Sequence, residues 1–354
     1  MINNWKFRQC FKMDKTEQVQ DVAQIFQTLE KLFVAESITE YEVLPGYNEQ
    51  DKSTPFVIEM HHLGVYKWCI KPLYTYAHRT FKTKSHVTQS EKLKFLTQFM
   101  LMVQPDHMSL WNARKLLIQK KIISFQEEIK LLNLILLQHP KSSEVYIHRR
   151  WLIQSMTVPD SSVIKFEFSL NECMVCQRSA DKYANNYHAW NHRQWVIDTF
   201  LLHMNEQLLD SELESAEKFI DAHISDYSGY HHKIYIIRLK LALLNPKSLD
   251  KFIEEQVDIA EQLLLTYENH ESLYIGYRGL LTLIYNYKPK DNVLGVEAMI
   301  KEDEWPLRRE KFAARAVAFV HHLKSKQRSI WDVDLCRKFI KWCELLLDKK
   351  QKCQ

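Results

Sequence analysis

The chain has 354 residues, 46% of them apolar and 12% aromatic, which is enough to bury a sizeable core and excludes a disordered chain. Six glycines and nine prolines are far below ordinary usage, which excludes folds built on tight β-turns or glycine-rich phosphate loops. Forty-eight basic against forty-four acidic residues leave a formal charge of +4, too weak a field to call for nucleic acid or an acidic membrane.

Residues 1–95 form an N-terminal extension of mixed character. VQDVAQIFQTLEKLFVAE has helical periodicity, and ITEYEVLPG and PFVIEMHHLGVYKW are short aromatic, β-branched runs. From 96 to 285 a pattern recurs five times, in PDHMSLWNARKLLI, HPKSSEVYIHRRWLI, NNYHAWNHRQWVI, SDYSGYHHKIYII and NHESLYIGYRGLL. Each copy has an aromatic anchor, Trp111, Tyr146, Trp190, Tyr230 and Tyr274 in turn. Three residues on stands a basic partner, Arg114, Arg149, Arg193 and Lys233; in the fifth copy Tyr277 takes that place and Arg278 follows it. The last part, 286–354, opens with a turn-rich stretch and continues as two helical segments, WPLRREKFAARAVAFVHHL and SIWDVDLCRKFIKWCELLLDKK, expected to cap the array.

The anchors are about 41 residues apart on average, room for two helices and two turns. Amphipathic runs such as SFQEEIKLLNLILLQ lie between them. One hairpin cannot bury both its apolar faces, so successive hairpins stack and share their cores. The expected fold is all-α, a solenoid of helical hairpins whose anchors fall in the first turns of each second helix. Asp106, Ser142 or Ser143, Asn185 or Asn186, Ser225 or Asp226, and Asn269 are the expected N-caps of those helices.

The five-fold aromatic and basic pattern, and NNYHAWNHRQWVI above all, resembles the α-subunit repeat of protein prenyltransferases over roughly residues 100–285. That resemblance implies a right-handed α-α superhelix that pairs with a separate β subunit, and a cofactor-free chain: zinc and geranylgeranyl diphosphate would sit on the β subunit, for which the Rab geranylgeranyltransferase type is the first choice. The acceptor would be a substrate protein with a C-terminal cysteine. The family places a basic residue two before the tyrosine of its Asn-Tyr-His motif, near the leaving diphosphate; here that position is Asn185. By the same resemblance Tyr187, Asn185 and His188 are the candidate catalytic residues on the diphosphate side. The alternative is a non-catalytic scaffold or substrate escort that kept the repeat fold.

Other residues invite simpler readings. The anchors are expected to be packing residues and their basic partners ties between hairpins, because a buried ring contributes a few kcal/mol. His188 and His192, or His231 and His232, lack further ligands at metal spacing, so no metal is expected on this chain. Cys173 and Cys176 read as buried helix thiols, Gly276 and Gly279 as a point of close helix approach, and RREKFAARA as a solvated helix face. The longest apolar run, Leu131 to Leu137, is far short of the roughly 20 residues a membrane span needs. Seven irregularly spaced cysteines without a secretory core read as reduced thiols, hence a cytoplasmic protein.

Overall fold

The computed structural model describes residues 9–10, 22–35, 38–46, 55–83, 90–155, 162–201, 206–244, 246–287, 305–326 and 329–348. Among the described residues the fold is all-α apart from a small sheet of four strands between residues 9 and 66. It divides into two compact units, residues 1–160 with 174–183, and residues 161–173 with 184–354.

In the first unit β1 (Gln9–Cys10), α1 (Val22–Ala35), β2 (Glu40–Leu44), β3 (Phe56–Glu59), β4 (His62–Tyr66) and α2 (Lys67–Lys82) precede the repeats. The sheet order is β1-β3-β4-β2, with β3 and β4 antiparallel and β2 parallel to β4. The parallel pairing is possible because the β3–β4 hairpin returns the chain alongside β2. Tyr41, Phe56, Ile58, Leu63 and Val65 are buried, and Phe26 of α1 packs against Phe95 and Phe99 at 5.0 and 5.5 Å between ring centroids. Both aromatic, β-branched runs of the extension contain strands; α2, whose interior Pro72 breaks the helical pattern, is absent from the sequence reading.

The hairpins follow. In the first unit they are α3 (Ser90–Val103) with α4 (Met108–Gln119), and α5 (Phe125–Gln138) with α6 (Ser143–Ser155). Helix α7 (Ser162–Lys182) contributes residues to both units. The second unit has α8 (Tyr187–Val196), prolonged by a π turn at Ile197–Leu201, then α9 (Glu206–Ala222) with α10 (Tyr227–Leu243), α11 (Pro246–Thr266) with α12 (Glu271–Asn286), and α13 (Trp305–Ser325) with α14 (Ile330–Asp348). Its core runs continuously from Val196 through Ile236, Leu264, Leu273 and Ile284 to Ala316, Val320 and Phe339. That sharing of apolar faces between neighbours is what a stacked-hairpin array requires.

Each anchor is the fourth residue of its helix, and each hairpin closes through a four-residue connection. Two of the expected caps hold: the Asn186 side-chain oxygen Oδ1 accepts from the Ala189 N–H, and the Asp226 carboxylate accepts from the Ser228 and Gly229 N–H groups. At α4 and α12 the N-caps are instead His107 and His270, neither with a side-chain cap bond. Asp106 and Asn269 stand one residue earlier and tie neighbouring hairpins: Ser142 donates to Asp106 at 2.7 Å, and the Asn269 N–H donates to Asp332 of α14 at 3.1 Å.

The glycines of α12 do mark close approach. A Cβ on Gly276 would come 2.5 Å from the Tyr230 ring, and one on Gly279 2.3 Å from Ile234, both on α10. Cys173 and Cys176 are buried and free, and burial pushes the Cys173 thiol up to about 12. The basic face of α13 differs from expectation. Arg308, Lys311 and Arg315 reach Asp250, Glu254, Asp258 and Glu261 of α11, so the run is an ion-pair ladder between two helices, not a face turned only to water.

Candidate functional site

Helix α8 begins at the segment singled out in the sequence. Asn185 sits just before it with φ 55°, a left-handed conformation that asparagine tolerates better than most residues. Its N–H donates to Asp226 at 2.7 Å, and its side-chain oxygen accepts from the Tyr227 N–H at 2.8 Å. Asn185 therefore fastens the start of α8 to the start of α10, and its Nδ2 is the atom that could still reach a ligand. Tyr187 is half exposed, 51%, and its ring lies against His188 with centroids 3.9 Å apart. The three residues named from sequence are thus side by side, at a helix start whose orphan N–H groups favour an anion.

What holds this helix start in place lies one turn further on. Trp190 is buried, stacked on His232 at 4.6 Å and edge-on to Phe219 at 4.9 Å. Arg193 donates to both oxygens of Glu212, at 2.5 and 2.8 Å, and to the Ser215 hydroxyl; His232 Nε2 bonds the same carboxylate at 2.9 Å. Burial alone would raise the Glu212 carboxyl, but Arg193 and His232 outweigh it and hold the group well below the usual range. Burial lowers His232, outweighing its glutamate. Its Nδ1 has no partner among the described residues, so a second ring proton would be stranded. The trio is Arg⁺, Glu⁻ and neutral His, with no net charge, and spans three successive helices.

The same construction stands in the first unit. Arg114 donates to Glu128 at 2.9 and 3.0 Å, His148 bonds Glu128 at 2.8 Å, and Trp111 stacks on His148 at 4.5 Å. Burial raises Glu128, yet Arg114 and His148 bring it down to about 2. A third pair, Glu172 with His192 at 3.1 Å, lies in the second unit. In all three the glutamate precedes the histidine by 20 residues. Of these six residues the sequence reading named only His192 and His232, and those as histidines weighed for a metal; a Glu-x19-His spacing repeated three times is nevertheless there to be found. Each of these histidines is paired with a carboxylate, and among the described residues no three His, Cys, Asp or Glu side chains converge.

The remaining predicted positions divide by role. Tyr146 is buried and donates to the Pro140 carbonyl, and Arg149 donates to Asn133 at 2.9 Å. Tyr230 and Tyr274 are buried; the Tyr274 hydroxyl lies 3.5 Å from Asp332. Lys233 turns back to Glu217 of α9 at 2.9 Å. Arg278 lies over the Trp342 ring at 5.1 Å, while Tyr277, at the place of the other copies' cation, donates to Glu261 at 2.7 Å. Within its own unit each of these anchors and cations serves packing or ties between helices.

Comparison with known proteins finds similarity over part of the chain. The family model described as protein prenyltransferase alpha subunit repeat matches residues 125–156 and 169–200, the second of which contains Asn185, Tyr187 and His188. Protein prenyltransferase alpha subunit repeat-containing protein 1 of Danio rerio is 31% identical over 202 residues, 52% of this chain and 47% of that protein. The Homo sapiens protein of the same name is 30% identical over 51% and 49%. The geranylgeranyl transferase type-2 subunit alpha of Candida albicans is 25% identical over 33% of each. The chain spans about half the length of the curated relatives it matches most strongly. Among solved structures, Candida albicans protein geranylgeranyltransferase-I complexed with GGPP superposes with a TM-score of 0.46 at 15% identity, over 76% of this chain and 88% of that one.

Proposed function

We propose that this chain, two segments of which match the prenyltransferase alpha subunit repeat, is the α subunit of a heterodimeric protein prenyltransferase and completes geranylgeranyl transfer to a C-terminal cysteine of a substrate protein. The observation that carries the reading is Tyr187: a half-exposed tyrosine at a helix start, inside a matched repeat, on a helix locked by Trp190 and the Arg193–Glu212–His232 trio.

In this reading a β subunit, of the Rab geranylgeranyltransferase type by preference, holds zinc and geranylgeranyl diphosphate. The described residues of this chain offer no three-ligand metal cluster, so no zinc ligand is assigned to it. When bound to the partner, zinc supplies a thiolate of lowered pKa. This chain's part is on the leaving-group side. The Tyr187 hydroxyl and His188 would donate to the departing diphosphate beside the positive end of α8, and the trio behind them keeps that end from shifting as charge develops. No described helix is long and apolar enough to cross a membrane, and the proposed setting is the cytoplasm.

The test is to mix the chain with the Rab-type β subunit, a cysteine-terminated acceptor and geranylgeranyl diphosphate. A one-to-one complex with zinc-dependent transfer is expected, and failure to form a stable complex with any prenyltransferase β subunit would sink the reading. The second reading, a scaffold or escort, draws on Asn185: no cation stands there, and its side-chain oxygen is committed to Tyr227. Tyr187→Phe separates the two, since a transferase subunit loses turnover with complex formation intact, whereas an escort does not.

A further inference from the structure

Helix α2 has a basic outer face that no described acidic residue answers. The stretch from Met60 to Ser90 holds five Lys or Arg residues and no Asp or Glu, so its charge exceeds the +4 of the whole chain. Four of the five lie on α2, at Lys67, Lys71, Arg79 and Lys82. At about 100° of turn per residue, these spacings put all four, with Thr75, inside a third of the helix circumference. Cys69, Leu73 and Ala77 are buried on the opposite side, and the Tyr76 ring meets Phe26 of α1 at 5.3 Å. The four cations are exposed, and none has a side-chain hydrogen bond or ion pair among the described residues.

Elsewhere in the molecule a face of this kind is half of a ladder. On α13 Arg308, Lys311 and Arg315, at i, i+3 and i+7, meet Asp250, Glu254, Asp258 and Glu261 of α11, with Arg308–Asp250 and Lys311–Glu254 both at 2.5 Å. Lys67 and Lys71 repeat the i, i+4 step of that row, and Arg79 and Lys82 its i, i+3 step. From first to last the stripe on α2 is about 22 Å long.

Two other anionic occupants fit this face less well. A bilayer takes an amphipathic helix by its apolar face, and the apolar face of α2 is committed to the core. Single-stranded nucleic acid stacks its bases on free aromatic rings beside the cations. Here the Tyr74 ring is stacked on His78 at 6.2 Å and its hydroxyl donates to Gln104 at 2.8 Å. A row of carboxylates at the rise of a helix, by contrast, matches the row of cations position by position. We propose that the outer face of α2 docks an acidic helix of a partner protein, one with Asp or Glu at i, i+3 and i+4 spacing along about four turns. Helix α2 lies outside both segments that match the repeat family, so this contact and the transferase reading fail separately.

Fluorescence anisotropy on the full chain tests it with three labelled probes: a helical peptide of about 20 residues with its glutamates in one stripe, a peptide of the same composition with its glutamates spread round the helix, and a single-stranded RNA of similar length. Co-sedimentation with phosphatidylserine vesicles runs beside it. The striped peptide should saturate at one per chain, about tenfold or more tighter than the spread peptide, and bind severalfold more weakly in high salt, because exposed ion pairs are screened. The Lys71→Glu, Arg79→Glu double variant should lose this binding at an unchanged urea midpoint, and the milder Lys71→Gln, Arg79→Gln pair should weaken it by about tenfold. The proposal is overturned by a striped peptide that does not saturate, by equal affinity for the two peptides, or by double variants that bind as the parent does. RNA or vesicles held more tightly than the striped peptide through the same two residues would overturn it in favour of those occupants.

Discussion

The junction of α8, α9 and α10 and the junction of α10, α11 and α12 are built on one plan and filled in two ways. In the first, Arg193, Glu212 and His232 form a buried polar trio backed by Trp190. In the second, the positions that correspond to Glu212 and His232 are Gln256 and Gly276, again 20 residues apart. With no carboxylate to meet, Lys233 turns to Glu217, and the space of the missing imidazole is taken by the Tyr230 ring, 2.5 Å from where a Gly276 Cβ would be. The charge moves along by one turn of helix: Glu261 receives the Tyr277 hydroxyl at 2.7 Å and Arg315 of α13 at 2.6 Å. A repeat array thus tolerates loss of its polar trio where a flanking hairpin can take over the carboxylate. The trio of the first junction braces the helix that carries exposed Tyr187.

The comparison can be broken by mutation, and the largest effect is expected at Glu212. Glu212→Ala would strand the buried Arg193 guanidinium and cost roughly 3–5 kcal/mol in urea unfolding. Gln256→Ala at the matching position should cost about 1 kcal/mol. Equal losses would show that the two junctions are not different in kind.

Gly276→Ala comes next. The neighbour that must give way is the base of a buried tyrosine ring, so about 1–3 kcal/mol of overpacking is expected. Gly→Ala at an open helical site would instead stabilise by up to about 1 kcal/mol, and a gain here would mean that Tyr230 can move.

Acid should also distinguish the junctions. His148 and His232 have folded pKa values below the ordinary 6.5, burial being the main cause. Above that value both are neutral folded or unfolded. As pH falls through about 6.5 toward the folded values the unfolded chain binds protons first, so stability is lost, by about 1.4 kcal/mol for each unit of depression at each histidine. Urea midpoints should therefore drop between about pH 7.5 and 5.5. Glu128 adds a second, lower window, its contribution disappearing from the usual carboxylate value down to about 2. A midpoint unchanged across the first window would remove the trio as a neutral, buried histidine network.

The smallest effects belong to Gln256→Leu and Tyr187→Phe. The Gln256 oxygen is buried with no partner among the described residues, so an apolar side chain should leave stability within about 1 kcal/mol or raise it. Tyr187→Phe should move stability by no more than about 0.5 kcal/mol, which keeps its effect on turnover readable.

Much of this was legible from local pattern. An aromatic anchor and a cation three residues on share one side of a helix, so the second helices of the first four repeats announce themselves, as does the tight contact at Gly276 and Gly279. The partners of those cations were not legible in the same way. Glu128 and Glu212 lie on other helices and leave no i, i+4 trace; they emerge only when the copies are aligned and the 20-residue spacing recurs. The caps were misplaced by one residue at α4 and α12 because Asp106 and Asn269 bond across to the next hairpin, a nonlocal use of a residue type that usually acts locally. The parallel β2–β4 pair is nonlocal too, and no turn motif signals it. As for the candidate site, Tyr187 and His188 came from a motif, while the fastening role of Asn185 needed the left-handed backbone and Asp226 to be seen together.

The four-residue closures have a consequence for how such a chain can change. Each sets the phase of an anchor relative to the helix before it, and one inserted residue would turn the following helix by about 100°, carrying the anchor out of the core. Length variation among relatives should therefore collect between hairpins, as in the stretch from Asn286 to Trp305, and the closures should behave as fixed-length spacers along the whole array, α13 and α14 included.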